Sequence, residues 1–185
     1  MIKRLPMWSQ EGNGLARAIF RVSDRLDILF RQLDEGISPA TYAESWNDCR
    51  RELDSLRTSV ADLNGRVTID PRLGGAIREI IYQTCILQLL TCVDMQIMGC
   101  WIAVRENNPY ESQIATSCFG LSRQTSMAYA NAIRGVTQRK IDTDFYIVVH
   151  REFVKSFREE ILPLHAEGEA LVVQMESEGR KPNSD

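Results

Sequence analysis

The chain has 185 residues, enough for one domain with a sizeable core. Its 44% apolar and 25% charged content is that of an ordinary soluble globular protein. A formal charge of −3 and an isoelectric point near 5.5 argue against a general nucleic-acid binder, whose footprint is basic.

Residues 1–13 read as an irregular arm with no apolar run of signal-peptide length. From Gly14 to Glu35, Leu15, Ile19, Val22, Leu26, Leu29 and Leu33 alternate at spacings of four and three, one stripe of an amphipathic helix. Asp27 and Arg31 sit one turn apart on the opposite face, and Gly36 stops the helix. Ser38-Pro39 caps a second helix, in which Tyr42, Trp46, Cys49, Leu53, Leu56, Val60 and Leu63 repeat the pattern until Asn64-Gly65. Two long amphipathic helices joined by a short loop form an antiparallel hairpin.

Asp70-Pro71 restarts a helix that becomes firm near Ala76. Between Ile77 and Val104 the polar face disappears, which fits either the core of a bundle or a membrane span. Asp94, Gln83, Gln88 and Gln96 favour the core, because a carboxylate at mid-bilayer costs ~2.5–3.5 kcal/mol. Asn108-Pro109, with Glu111 behind it, opens the next helix, with Ile114, Cys118 and Leu121 on its inner edge. Gly120 and Ser122 are expected to break it, leaving a second segment up to Arg134-Gly135. Asp142 caps a further helix with Tyr146, Val149, Phe153, Phe157, Ile161 and Leu164 inward, and Pro163 ends or kinks it. A last helix through Leu171, Val172 and Met175 is weakened by Gly168, and residues 179–185 read as a disordered tail. The expectation is a single-domain, all-α bundle over residues 14–178, with five to six helices around a buried apolar central helix.

The five cysteines, Cys49, Cys85, Cys92, Cys100 and Cys118, fall at apolar positions of these patterns, and none forms a C-x-x-C pair. Free thiols and the absence of a visible signal point to a reducing, cytoplasmic setting. Cys85 and Cys92 lie two turns apart, roughly 10 Å at helical rise, too far to share a zinc ion from one helix. No Glu-x-x-His occurs around His150 or His165. No metal or cofactor is therefore expected.

Asp94 is the sharpest single residue, a candidate buried polar group. Among apolar neighbours its pKa rises unless a cation from another helix answers it. The run Cys118 to Thr125 resembles the turn of a helix-turn-helix. With Gly120 as the turn glycine, however, Thr116, Ser126 and Tyr129 fall at unsuitable positions, so nucleic acid is not expected as a partner. The basic residues Arg123, Arg134 and Arg139 then read as a face that offsets acids elsewhere.

Over roughly residues 15–90 the chain resembles the all-helical chorismate mutases. Asp48-Cys49-Arg50-Arg51-Glu52 is similar to their D-x-x-R-E element, and Thr84 and Gln88 to their Ser/Thr-x-x-x-Gln/Glu pair. The resemblance implies that Arg51 would hold a substrate carboxylate, while Glu52 and Gln88 would position polar substrate groups. The lysine of the pattern is replaced by Pro39. Three readings follow. The first is a non-catalytic protein-interaction module that binds a partner protein or itself. The second is a membrane-active bundle, and the third is a small-molecule enzyme using Asp48, Arg51, Glu52, Thr84 and Gln88.

Overall fold

The computed structural model describes residues 7–66, 75–138 and 143–182. The Asp70-Pro71 start and the Asp142 cap lie outside them, as do the side chains of Tyr146 and Val149. The described residues form an all-α bundle: α1 (Met7–Glu35), α2 (Pro39–Arg66), α3 (Gly75–Ala103), α4 (Pro109–Gln138), α5 (Thr143–Ser156) and α6 (Leu162–Ser177). α1 begins ahead of the expected Gly14 start, so residues 7–13 are helical and not an irregular arm.

The local signals act as their chemistry dictates. Gly36 takes a left-handed φ of +86°, ending α1 where a side chain would be strained. Ser38 Oγ accepts the Thr41 amide at 3.2 Å and caps α2. Asn108 Oδ1 accepts the Glu111 amide at 3.0 Å, while the Glu111 carboxylate accepts the Asn107 amide at 2.8 Å.

The stripes predicted for α1 and α2 face inward, and Ile19, Val22, Leu26, Cys49, Leu53 and Val60 are almost fully buried. α3 is the hub. It packs on α1, α2, α4 and α6, and its interface with α4 is the most extensive in the bundle. The stretch Gln83–Ala103 is long and apolar enough to cross a membrane, yet 72% of its most apolar window is buried inside the bundle. Helix α3 is thus sheathed by its neighbours. Gly99 lets α4 approach closely: a Cβ there would lie 2.9 Å from the Ala115 carbonyl oxygen and 3.1 Å from the Phe119 nitrogen.

Two expectations change. α4 runs unbroken through Gly120 and Ser122. Its inner stripe is simply polar at two positions, Ser122 and Ser126, both fully buried. Ser122 Oγ donates to the Phe119 carbonyl at 3.1 Å, within its own helix, so no turn is needed to satisfy it. Gly168 does not weaken α6. It is where α6 presses on Met98 and Cys118, with a Cβ position only 2.4 Å from Met98 Cε.

Pro163 neither ends nor breaks the last helical stretch. A single π-turn, Phe157–Ile161, precedes it, with the Leu162 amide donating to the Phe157 carbonyl. Proline lacks an N–H and its ring crowds the carbonyl one turn back. The wider turn takes up both defects and α6 continues. The chain then docks its end. After Gly179, at φ +67°, Arg180 Nη1 reaches the Glu111 carboxylate at 2.6 Å. Arg180 is thereby held against α4, within the stretch expected to be a disordered tail, of which residues 183–185 lie outside the described residues.

Candidate functional site

Of the faces of α3, one is left partly open. Asp94, Ile97, Met98 and Trp101 are spaced as one helical stripe. α2 and α6 flank this stripe but do not pack appreciably against each other. Between them lies a groove of about 770 Å³, with Trp46 and Arg50 on the α2 wall and His165, Glu169, Val172, Val173 and Glu176 on the α6 wall.

One edge of the groove is tied by charge. Arg57 Nη2 of α2 contacts Asp94 Oδ1 at 3.1 Å, and His165 Nε2 of α6 lies 3.7 Å from Asp94 Oδ2. Asp94 is not the buried residue expected from the sequence, since 42% of its side chain is exposed. Burial still pushes its carboxyl up, but the His165 hydrogen bond and the Arg57 charge win and hold it below the usual range. It is an ion-pair anchor, not a proton donor at neutral pH. The same contact raises the His165 pKa against the opposing pull of burial, with Glu169 adding to the rise and Arg57 opposing it.

Trp46 and Trp101 separate this groove from a smaller pocket of about 320 Å³, which lies under the α1–α2 turn. Both wall groups of α2 are pinned to α3: Trp46 Nε1 donates to the Ile97 carbonyl and Tyr42 OH to the Cys100 carbonyl, each at 2.9 Å. Each tryptophan also carries an arginine four residues on, Arg50 within α2 and Arg105 just past the end of α3. The Arg50 guanidinium lies 5.5 Å from the Trp46 ring centroid, and that of Arg105 lies 4.1 Å from the Trp101 ring. Sequence periodicity placed Trp46 in the α2 stripe and left Trp101 inside the apolar run of α3. The signal for them was present as a repeated W-x-x-x-R, Trp46 to Arg50 and Trp101 to Arg105.

The residues singled out by the enzyme reading are not brought together. Asp48 and Arg51 pair with each other, and the Arg51 side chain is 78% exposed. Glu52 turns to Arg25 of α1. Gln88 is buried in the α3 core with Oε1 unpartnered, and Thr84 is half-buried on the same helix. Neither cavity is lined by any of these five residues.

All five thiols are buried and unpaired. Burial raises every one, with Cys85, Cys92, Cys100 and Cys118 pushed up to about 12. At neutral pH they are protonated packing groups and poor nucleophiles. Among the described residues no three His, Cys, Asp or Glu side chains gather as a metal site would require.

Arg123, part of the basic face, is answered inside the chain. It pairs with Asp24 at 2.7 Å, donates to Ser23 Oγ at 2.6 Å and lies over Phe20. Ser23 Oγ in turn donates to Gln96 Oε1 at 2.8 Å, and Gln96 Nε2 donates to Ser126 Oγ at 3.3 Å. This polar chain joins α1, α3 and α4 across the core. Compared with known proteins, the chain matches no family model, no curated protein and no solved structure.

Proposed function

We propose that this chain is a non-catalytic protein-interaction module that receives an amphipathic helix in the groove between α2 and α6. The observation that carries the reading is the partly open stripe of α3. The half-buried Met98 and Trp101, with the buried Ile97 beside them, form an apolar floor, and Val173 on the rim is 65% exposed. From Asp94 to Trp101 the floor extends for roughly two helical turns, about 10 Å at ~1.5 Å per residue. The α6 wall is acidic, through Glu169 and Glu176, and the α2 wall is basic, through Arg50. An apolar helix with basic residues along one edge complements this polarity. The unpaired thiols support a reducing, cytoplasmic setting.

The enzyme reading gains no support from side chains that diverge. The membrane reading would require α3 to shed α1, α2, α4 and α6 before it met lipid.

The test is a comparison of capture from native lysate by the intact chain and by Val173→Asp, with sedimentation of both proteins alongside. A bound protein, or a dimer, that is lost in Val173→Asp while the circular dichroism is unchanged supports the groove. Equal capture and equal mass for the two proteins would overturn it.

A further inference from the structure

The smaller pocket stands apart from the groove on the far side of Trp46 and Trp101. Its side chains are mostly apolar and aromatic, with Leu33, Ile37, Tyr42 and Val104 beside the two tryptophans, and polar atoms make up about as much of its surface as apolar ones. Among the described residues a single charged one lines it, Arg105. A guanidinium carries five N–H donors. One Arg105 donor is used, from Nη1 to the Trp101 carbonyl at 3.1 Å, which closes the last turn of α3. Its Nε is buried with no hydrogen-bond partner, and among the described residues no carboxylate makes ion-pair contact with it. The guanidinium is half-buried, stacks on Trp101 and feels Glu176 only at a distance, and natural proteins seldom leave a buried guanidinium donor such as this Nε unanswered without reason.

We infer that the pocket walled by Tyr42, Trp46 and Trp101 is a binding site for a small organic carboxylate with a flat apolar body, whose acid group is taken by Arg105. The volume of about 320 Å³ sits at the lower end of ligand pockets and suits a body of one or two rings. The ring system lies against the tryptophan wall. The carboxylate supplies the acceptors that Arg105 lacks, and the planar guanidinium matches it. Asn47 at the rim offers a further amide donor beyond the one it gives to the Ala43 carbonyl. The site does not depend on the groove reading, since it uses the opposite side of the tryptophan wall.

The probes are phenylacetate and indole-3-acetate, each paired with its primary amide, titrated into the full chain and followed by calorimetry and ligand-observed NMR. The acids should bind at least about tenfold more tightly than the amides, the scale of a charge-assisted hydrogen bond. Arg105→Met should bring the acids down to the amides. Ala43→Trp, at an exposed position on the pocket wall, should abolish binding of both without touching the core. Val173→Asp should leave acid binding unchanged, so a failed groove and a failed pocket are told apart. Amides that bind as tightly as acids, no binding by any probe, or an acid affinity unmoved by Arg105→Met would overturn the inference.

Discussion

His165 and His150 pull on stability in opposite directions. Contact with Asp94 raises the His165 pKa, so its contribution is complete below the unfolded value of ~6.5 and is lost as pH rises through the folded value. Burial lowers His150, whose Nδ1 has no partner, so its contribution is present above ~6.5 and is lost as pH falls through its folded value. The wild-type curve alone would mix the two. The difference between wild type and His165→Gln isolates one of them. It should shrink as pH rises from about 6 to about 8.5 in urea titrations, and should stay below ~1 kcal/mol because Asp94 is 42% exposed and screened. A second residue-scale test concerns Gly99. Its Cβ would meet backbone atoms that cannot swing aside, so Gly99→Ala should cost ~1–3 kcal/mol. Gly168→Ala should cost less, because its closest neighbour is the flexible end of Met98. A glycine inside the apolar run of α3 admits close helix contact or a bend, and at Gly99 the contact is what forms; the close approach at Gly168 has no such signal in the sequence. The partners of Asp94 were equally hidden, because Arg57 and His165 meet it only after three helices have packed.

At the scale of the element, amphipathic periodicity with caps carried most of the reading. The stripes from Leu15 to Leu33 and from Tyr42 to Leu63, the Ser38 cap and the Asn108–Glu111 cap all emerge as read. The reading failed in α4, where apolar residues give way to Ser122 and Ser126 on the buried stripe. Helical spacing counts hydrophobes, and it cannot see a hydroxyl satisfied by its own helix or by Gln96 across the core. Because α4 continues through Gly120, which has open space around it, Gly120→Ala should stabilise the protein by ~0.5–1 kcal/mol in denaturant melts. A true turn at that position would give the opposite sign. Ser23→Ala should cost ~1–3 kcal/mol, since it leaves Gln96 Oε1 and one Arg123 donor short of a partner in the core. A double-mutant cycle with Gln96→Leu should show coupling, because the second change removes the stranded acceptor.

For the whole molecule, the all-α class followed from helical spacing, and the burial of α3 from the argument that Asp94 and the glutamines make a poor membrane span. The groove and the pocket were not legible, because the first is what α2 and α6 fail to cover and the second is left under the α1–α2 turn beside the end of α3. The same packing gives a global probe of opening. Cys85, Cys92, Cys100 and Cys118 lie on α3 and α4, Cys49 lies on α2, and none exceeds 1% exposure. An aromatic disulfide reagent should therefore leave the native protein almost untouched and titrate all five thiols once urea has unfolded it. Rapid labelling of any of the five in native buffer would show that the core is looser than its packing indicates.

The π-turn at Phe157–Ile161 acts as a vernier between the two halves of the C-terminal helical stretch. One surplus residue in a helix advances everything beyond it by ~100° about the axis. That offset is what aims Gly168, Leu171 and Met175 at α3 and α4 while Phe153 still faces Tyr129. Removing a single residue there would restore ordinary winding yet swing those three inward positions into water. Evolution of this segment by point substitution is consequently far freer than evolution by deletion.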